Sequence, residues 1–164
     1  MSAHATSTPT AFAPKRVYRF LAIAEAATWT LLIIGLIAKY GFQVEPLVAV
    51  AGSIHGFVFL SYGAMQIVVG VNQRWSIARI LTGILTAIVP YATIPWERRL
   101  ARRGALDGGW RTEATDDPRD RTAIDRLFRW GISHPVLLVV GALVAVAIVF
   151  VVLVNAGPPT EWFD

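Results

Sequence analysis

The chain has 164 residues and a formal net charge of +4, with 55% hydrophobic and only 16% charged residues. Soluble domains carry about 45–50% apolar and about 25% charged residues, so this composition excludes an ordinary soluble domain. Cysteine is absent, which excludes disulfides, thiolate metal sites, iron–sulfur clusters and covalently attached haem. We therefore predict an all-α integral membrane protein without a cofactor or metal ion.

The chain opens with a small, polar, proline-containing lead over residues 1–14, which is typical of disorder. A membrane span needs about 20 apolar residues, and four segments reach that length: about 18–39, 47–71, 76–96 and 135–155. Short polar turns separate the first three, so we predict a three-span membrane domain over 15–100. The fourth span is predicted to be an added anchor, and a short tail over 156–164 follows it.

A charged loop over 101–134 separates the third and fourth spans. Within 118–131 the residues Ile124, Leu127 and Phe128 share one helical face, which predicts an amphipathic helix at the membrane surface; a solvated linker is the alternative. Four arginines at the end of the third span are predicted to contact anionic lipid headgroups: Arg98, Arg99, Arg102 and Arg103. Nucleic-acid binding is not predicted, because the basic residues flank spans and alternate with acids.

The distribution of basic residues predicts the orientation, because short cytoplasmic loops carry an excess of lysine and arginine. If all four segments cross the membrane, one side carries five basic residues: Lys15, Arg16, Arg19, Arg74 and Arg79. The other side carries Lys39 and the nine arginines of 97–134. We therefore predict that the loop is cytoplasmic and that both termini are outside.

Glu25 lies in the first span, where an ionisable group costs about 2.5–3.5 kcal/mol on insertion scales and usually faces a partner or a wet cavity. Counting 1.5 Å per residue from the turns places it about 9 Å from the height of His55. We therefore predict two separate polar layers, one around each residue. The expected partners are Ser61 and Tyr62 for Glu25, and Tyr91 and Thr30 for His55.

Burial disfavours a charged carboxylate, so we interpret Glu25 as a protonated carboxylic acid that bridges helices. Proton carrying is the alternative. His55 is interpreted as a neutral imidazole between helices, because a haem or metal site would need a second histidine at the same depth.

The second span carries four glycines that we predict to pack against neighbouring helices: Gly52, Gly56, Gly63 and Gly70. Homodimerisation through this face is the alternative. Pro90 is predicted to kink the third span.

Four short motifs connect these residues to a family: Ala24-Glu25, Lys39-Tyr40, Ile54-His55-Gly56 and Glu97-Arg98-Arg99-Leu100. With them, residues 16–100 resemble the bacterial integral membrane family known as domain of unknown function 3817, the YdzA-like proteins. The resemblance implies a bacterial plasma-membrane location and supplies no activity. The early glutamate also resembles that of small multidrug-resistance transporters, but the long charged loop departs from their compact plan.

The sequence contains no Ser-His-Asp set, metal-ligand spacing or phosphate-cradling loop, so we do not predict an enzyme. We predict a non-catalytic accessory or stabilising subunit of a membrane assembly, whose partner is another membrane protein or a second copy of the chain. The alternative is a small proton-linked transporter that uses Glu25, with His55 as a relay.

Overall fold

The computed structural model describes residues 13–156, so nearly all of the predicted lead over 1–14 and tail over 156–164 lies outside the described residues. The described chain is helical, which confirms the all-α prediction. Two 3-10 helices cover Thr86–Ile88 and Pro118–Arg121. The α-helices are α1 (Pro14–Phe42), α2 (Glu45–Asn72), α3 (Ile77–Leu85), α4 (Thr93–Arg102), α5 (Ala123–Ser133) and α6 (Pro135–Asn155).

Three of these helices are long and apolar enough to cross a membrane: α1, α2 and α6. The first two form an antiparallel pair joined by a tight turn, in which Gln43 adopts the left-handed conformation that closes many helices (φ 59°). Gly35 lets the pair approach closely, because a Cβ atom there would lie 2.9 Å from the Cα of Val48. A small residue at such a contact is typical of packed membrane helices.

The predicted third span is not one continuous helix, so the prediction of four transmembrane helices is not confirmed for the described residues. α3 ends at Leu85, and after the short 3-10 helix Val89 adopts extended backbone (φ −101°, ψ 122°). Extended backbone is what a following proline enforces, and Pro90 itself has no N–H to continue a helix. Tyr91 then takes a left-handed conformation (φ 65°), and the chain turns back into α4. The predicted kink at Pro90 is therefore a reversal.

α3 and α4, residues 77–102, form a re-entrant hairpin that enters and leaves at one end of the bundle. Near the turn, the Trp29 indole donates to the carbonyl oxygen of Ala87 at 3.0 Å. Trp29 lies 15 residues into α1, about 22 Å along the helix, so the hairpin reaches roughly halfway along α1. Beyond the hairpin, the Trp75 indole at the end of α2 donates to the carbonyl of Ala105 at 3.0 Å.

The start of α1, the end of α2 and the loop after α4 consequently meet at one end, which we call the charged end. Lys15 Nζ lies 2.7 Å from a carboxylate oxygen of Asp107, and Arg74 pairs with Asp120. The prediction that placed Lys15 and the loop on opposite sides is wrong, because the hairpin returns instead of crossing. α6 runs towards the other end, so the start of α1 and the end of α6 lie at opposite ends. The described ends of the chain therefore give no support to the prediction that both termini share one side, and the termini themselves lie outside the described residues.

Asp120 holds the loop against α2 in a cluster that we call the latch. Its buried carboxylate accepts from the Thr115 backbone N–H at 2.7 Å and from the Thr115 hydroxyl at 2.6 Å, and it pairs with three arginines: Arg74, Arg111 and Arg129. These hydrogen bonds from Thr115, followed by the charges of Arg74 and Arg129, lower the pKa of Asp120 to about 2.

Arg111 joins the latch directly to the end of α2. Its guanidinium donates to the carbonyls of Val71 at 2.8 Å and Asn72 at 2.7 Å. The last carbonyls of a helix have no partner within the helix, so this arginine caps α2.

α5 is amphipathic, although one predicted member of its apolar face lies elsewhere. Ile124, Leu127 and Trp130 are 74%, 69% and 55% exposed. Phe128 instead faces the protein, where its ring centroid lies 5.5 Å from the Arg111 guanidinium. The exposed apolar face has no partner within residues 13–156.

The four predicted packing glycines do not share one neighbour. A Cβ at Gly52 would meet Leu32 of α1 at 3.8 Å, one at Gly56 would meet Phe150 of α6 at 3.3 Å, and one at Gly70 would meet Ile80 of α3 at 2.5 Å. Gly63 has no neighbour within 4 Å of such an atom in the described chain, so its packing role stays a prediction. Two close contacts were not predicted, at Gly35 and at Gly83, where a Cβ would clash with the Gln66 amide.

Candidate functional site

Glu25 is fully buried, with 0% of its surface exposed, between α1, α2 and the hairpin. Tyr18, Ala22 and Glu25 recur at helical spacing and form the buried face of α1. Thr93, the first residue of α4, is also fully buried and meets this face where the hairpin turns back. The hairpin therefore closes over the carboxyl group.

The Thr93 hydroxyl holds the Glu25 carboxyl against the buried face of α1. The Thr93 hydroxyl lies 3.1 Å from the carbonyl oxygen of Ala22 and 3.1 Å from Oε2 of Glu25. A threonine hydroxyl has a single hydrogen, and a carbonyl oxygen can only accept. The Thr93 hydroxyl therefore has two acceptors within reach, and Oε2 of Glu25 is one of them. The other oxygen, Oε1, has no hydrogen-bond partner within the described residues.

The predicted partners of Glu25 bond elsewhere, so that pairing is wrong. The Ser61 hydroxyl donates to the carbonyl of Phe57 in its own helix at 2.8 Å. The Tyr62 hydroxyl lies 3.3 Å from the Thr86 hydroxyl and 3.4 Å from the Tyr18 hydroxyl. The returning α4 supplies the bond to Glu25, and a crossing third span would not have placed Thr93 there.

His55 also has a partner that was not predicted. Its Nδ1 lies 3.1 Å from the Thr28 hydroxyl, which donates to the backbone carbonyl of Glu25 at 2.9 Å. Because that hydroxyl hydrogen is used, Nδ1 is the donor to Thr28, which identifies the tautomer. The ring packs on Trp29 with centroids 4.6 Å apart.

The two residues expected beside His55 bond to each other instead. The hydroxyls of Thr30 and Tyr91 lie 3.2 Å apart at the turn of the hairpin. No hydrogen bond joins the imidazole to the Glu25 carboxyl within residues 13–156.

A chain of buried polar groups lies between Glu25 and the charged end. Gln66 Nε2 donates to the Tyr18 hydroxyl at 2.5 Å, Tyr18 contacts Tyr62, Tyr62 contacts Thr86, and Thr86 donates to the carbonyl of Gly83 at 2.6 Å. We call this series the hydroxyl chain. Tyr18 could have been found from its helical spacing to Glu25, whereas the position of Thr86 depends on the hairpin.

The four arginines predicted to contact lipid headgroups lie on the exposed side of α4, at the charged end. No ion pair engages them within the described chain. Residues 13–156 contain no group of three or more histidine, aspartate or glutamate side chains suited to a metal ion.

Comparison with known proteins identifies a matching family and one related protein. The family described as "Domain of unknown function (DUF3817)" matches residues 15–102. A protein of Streptomyces coelicolor, "Putative membrane protein SCO5905", is 31% identical over 111 residues. That match covers 66% of this chain and 12% of the relative, so this chain spans a small part of the relative's length. No solved structure matches the chain.

Proposed function

The chain belongs to the DUF3817 family, and from that premise we propose that it is a non-catalytic accessory or stabilising subunit of a larger membrane assembly in the bacterial inner membrane. This proposal rests on the match to the Streptomyces protein, which is named as a membrane protein and of which the matched region makes up only 12%. There, a related region is covalently part of a much longer chain. A region of this kind therefore occurs beside a large further part of a membrane protein, which supports a role within a larger membrane assembly.

α6 supports the accessory role, because it offers a large surface within the membrane. Only one side of this 21-residue helix meets α2, where Phe150 packs against Gly56 and Phe57. Most of its other side chains are exposed and apolar. Membrane helices associate through packing of such surfaces, so α6 can contact lipid or a partner helix without disturbing the hairpin.

We assign the charged end to the cytoplasm. Of the 15 lysines and arginines in the chain, Lys39 is the one that lies near the opposite end. The remainder lie at or near the charged end, and such an excess of lysine and arginine on one side is what determines orientation. On this assignment α1 begins inside and α6 ends outside.

The exposed apolar face of α5 is assigned to the cytoplasmic leaflet surface. α6 begins at Pro135, immediately after α5, so α5 lies next to the membrane boundary. An amphipathic helix in that position buries apolar residues among the headgroups. The unpaired arginines of α4 would contribute attraction to anionic lipid.

A small proton-linked transporter is the second candidate, favoured by the buried carboxyl of Glu25 and its unpartnered Oε1. The proposed relay through His55 gains no support from the described contacts. A transporter would require Glu25 to gain and lose a proton, whereas an accessory subunit needs only its bridging bond.

The test is purification of the tagged chain from its native membrane in a mild detergent, followed by mass spectrometry and measurement of particle size. The accessory role predicts a stoichiometric membrane-protein partner in both the wild type and Glu25→Gln. A homogeneous particle that contains only this chain contradicts it. Proton-coupled solute flux in proteoliposomes that disappears in Glu25→Gln would instead establish the transporter.

A further inference from the structure

We infer that the turn of the re-entrant hairpin is the docking site for a transmembrane helix of the partner protein, and that this helix carries a hydrogen-bonding side chain at the middle of the membrane. The turn comprises residues 88–91, which we call the hairpin tip. The inference rests on the proposed accessory role, because it states where the partner of that role binds. It adds a second surface to the one that α6 offers.

The hairpin tip lies at the middle of the membrane. Arg19 is the last basic residue of α1 on the side of the charged end, and Lys39 lies near the opposite end. They are about 20 residues apart, which is about 30 Å of helix and matches the hydrocarbon thickness of a bilayer. Trp29 stands halfway between them, and its indole donates to the carbonyl of Ala87, next to the tip, at 3.0 Å. The tip is therefore as far from water as the bilayer allows.

The backbone of the hairpin tip has polar groups without a partner. Pro90 has no N–H, Val89 is extended and Tyr91 is left-handed, so the tip cannot continue the helical bonding pattern. The Ala92 N–H closes the turn by donating to the Val89 carbonyl at 3.1 Å. Within residues 13–156 no donor reaches the carbonyls of Ile88 and Pro90, and the Tyr91 N–H reaches no acceptor.

The hairpin tip is also exposed, so the described chain does not cover these groups. Ile88, Val89 and Tyr91 are 57%, 56% and 45% exposed. Non-helical backbone occurs at membrane depth only where protein buries it or where it lines a water-filled cavity, because lipid tails offer no hydrogen bonds. The side chains of Ile88, Val89 and Pro90 are apolar, which favours contact with protein over contact with water. The tip therefore requires a protein segment that supplies a hydrogen-bond donor.

α1 offers a surface along which this segment can continue. Thr30, Ile34 and Ile37 recur at helical spacing, so they form a stripe from the tip towards the opposite end. Thr30 lies beside the tip, where its hydroxyl is 3.2 Å from that of Tyr91. Ile34 and Ile37 are 50% and 56% exposed, because the hairpin turns back before it reaches them. A spanning helix on this stripe would cover the tip and fill the half of the membrane that the hairpin does not reach.

A second copy of the chain does not supply the required donor. Its α6 has no side chain that donates a hydrogen bond between His134 and Asn155, which lie at the two ends of that helix, about 15 Å from its middle. The exposed Ser53 hydroxyl of α2 donates to the carbonyl of Ala49 in its own helix. We therefore assign the docked helix to a different membrane protein. Serine, threonine, asparagine and glutamine are the side chains that form such bonds between membrane helices.

The experiment is photo-crosslinking in the native membrane, followed by purification of the tagged chain and mass spectrometry. The photoreactive amino acid p-benzoylphenylalanine replaces Val89 at the hairpin tip, or Leu31 as the matched control. Leu31 is 47% exposed and lies at the depth of Thr30, but it points about 100° away around α1. We expect the probe at Val89 to join the stoichiometric partner at the middle of one of its spanning segments, and we expect this crosslink to be lost with the probe at Leu31. If the probe at Val89 prevents folding, the equally exposed Ile88 provides the same comparison.

Three results would overturn the inference and keep the accessory role. The first is a partner that co-purifies and is crosslinked from the exposed Val144 of α6 but not from the hairpin tip. The second is a crosslink from the tip to a second copy of this chain. The third is a water-filled cavity, seen as full accessibility of a spin label on Val89→Cys to a water-soluble nickel chelate in the purified complex. A purified particle that contains only this chain contradicts the accessory role itself, and the docking site with it.

Discussion

Replacing Thr93 with valine removes the hydroxyl that joins Glu25 to Ala22 while it preserves the shape of the side chain. The buried carboxyl of Glu25 then loses the donor of its hydrogen bond inside the bundle. Leaving a buried polar group unsatisfied costs about 1–3 kcal/mol. We therefore expect Thr93→Val to lower the free energy of unfolding by an amount in this range.

Glu25→Leu should cost much less, because it removes both the bond and the unpartnered Oε1. Losing one neutral hydrogen bond costs about 0.5–1.5 kcal/mol, and removing an orphan acceptor offsets it. In a Glu25→Leu background, Thr93→Val has no carboxyl to leave unsatisfied. The double-mutant cycle should give a coupling of about 1 kcal/mol, near the upper part of the range measured between membrane helices.

The assay is reversible unfolding in mixed micelles by increasing the fraction of a denaturing detergent, followed by circular dichroism. Thr82→Val is the matched control, because the exposed Thr82 hydroxyl bonds only the Ala78 carbonyl of its own helix. The reasoning is refuted if Thr93→Val is as stable as the wild type. It is also refuted if Thr93→Val costs as much in the Glu25→Leu background as in the wild type.

Two further predictions concern the latch and α6. Asp120→Asn should open the loop and increase limited proteolysis after α4. Asp107→Asn removes only the exposed ion pair with Lys15, so it should not increase this cleavage. Equal cleavage of both variants would contradict the latch. The pKa of Asp120 is lowered to about 2, so its carboxylate stabilises the latch fully above the ordinary aspartate pKa near 4. This stabilisation is lost as the pH falls through about 2. Proteolysis of the wild type should therefore rise only in that acidic range. Gly56→Leu should displace Phe150 and separate α6 from α2, lowering the yield of a disulfide engineered between those helices, while Gly63→Leu should leave the yield unchanged.

The all-α class and the long apolar helices could be predicted because hydropathy and length are properties of the local sequence. The fate of residues 76–96 could not. Pro90 predicts an interruption, but a proline is compatible with either a kinked crossing or a reversal. The reversal is stabilised by contacts between residues far apart in sequence, such as Trp29 with Ala87 and Trp75 with Ala105. Because residues 76–96 were predicted to cross the bundle, the loop after α4 and the end of α6 were each predicted at the end opposite to the one that the structure shows.

The candidate site shows the same division. Counting residues along the helices placed Tyr62 level with Glu25, since that count depends on the α1–α2 turn alone. It did not find Thr93, whose position depends on the returning α4. The latch was also beyond such reasoning, because Arg74 and Asp120 are 46 residues apart and charge alone does not select a partner.

The re-entrant hairpin and the cytoplasmic charged end can be tested together by single-cysteine labelling, for which the natural absence of cysteine is an advantage. Cysteine is placed at Ser76 before the hairpin, at Asp107 after it, and at Gly41 near the opposite end. A membrane-impermeant maleimide is then applied to intact spheroplasts and to inverted vesicles. The account predicts that Ser76→Cys and Asp107→Cys both react in inverted vesicles, and that Gly41→Cys reacts in spheroplasts. Labelling of Ser76→Cys and Asp107→Cys from opposite sides would show that residues 76–96 cross the membrane, and would contradict the account.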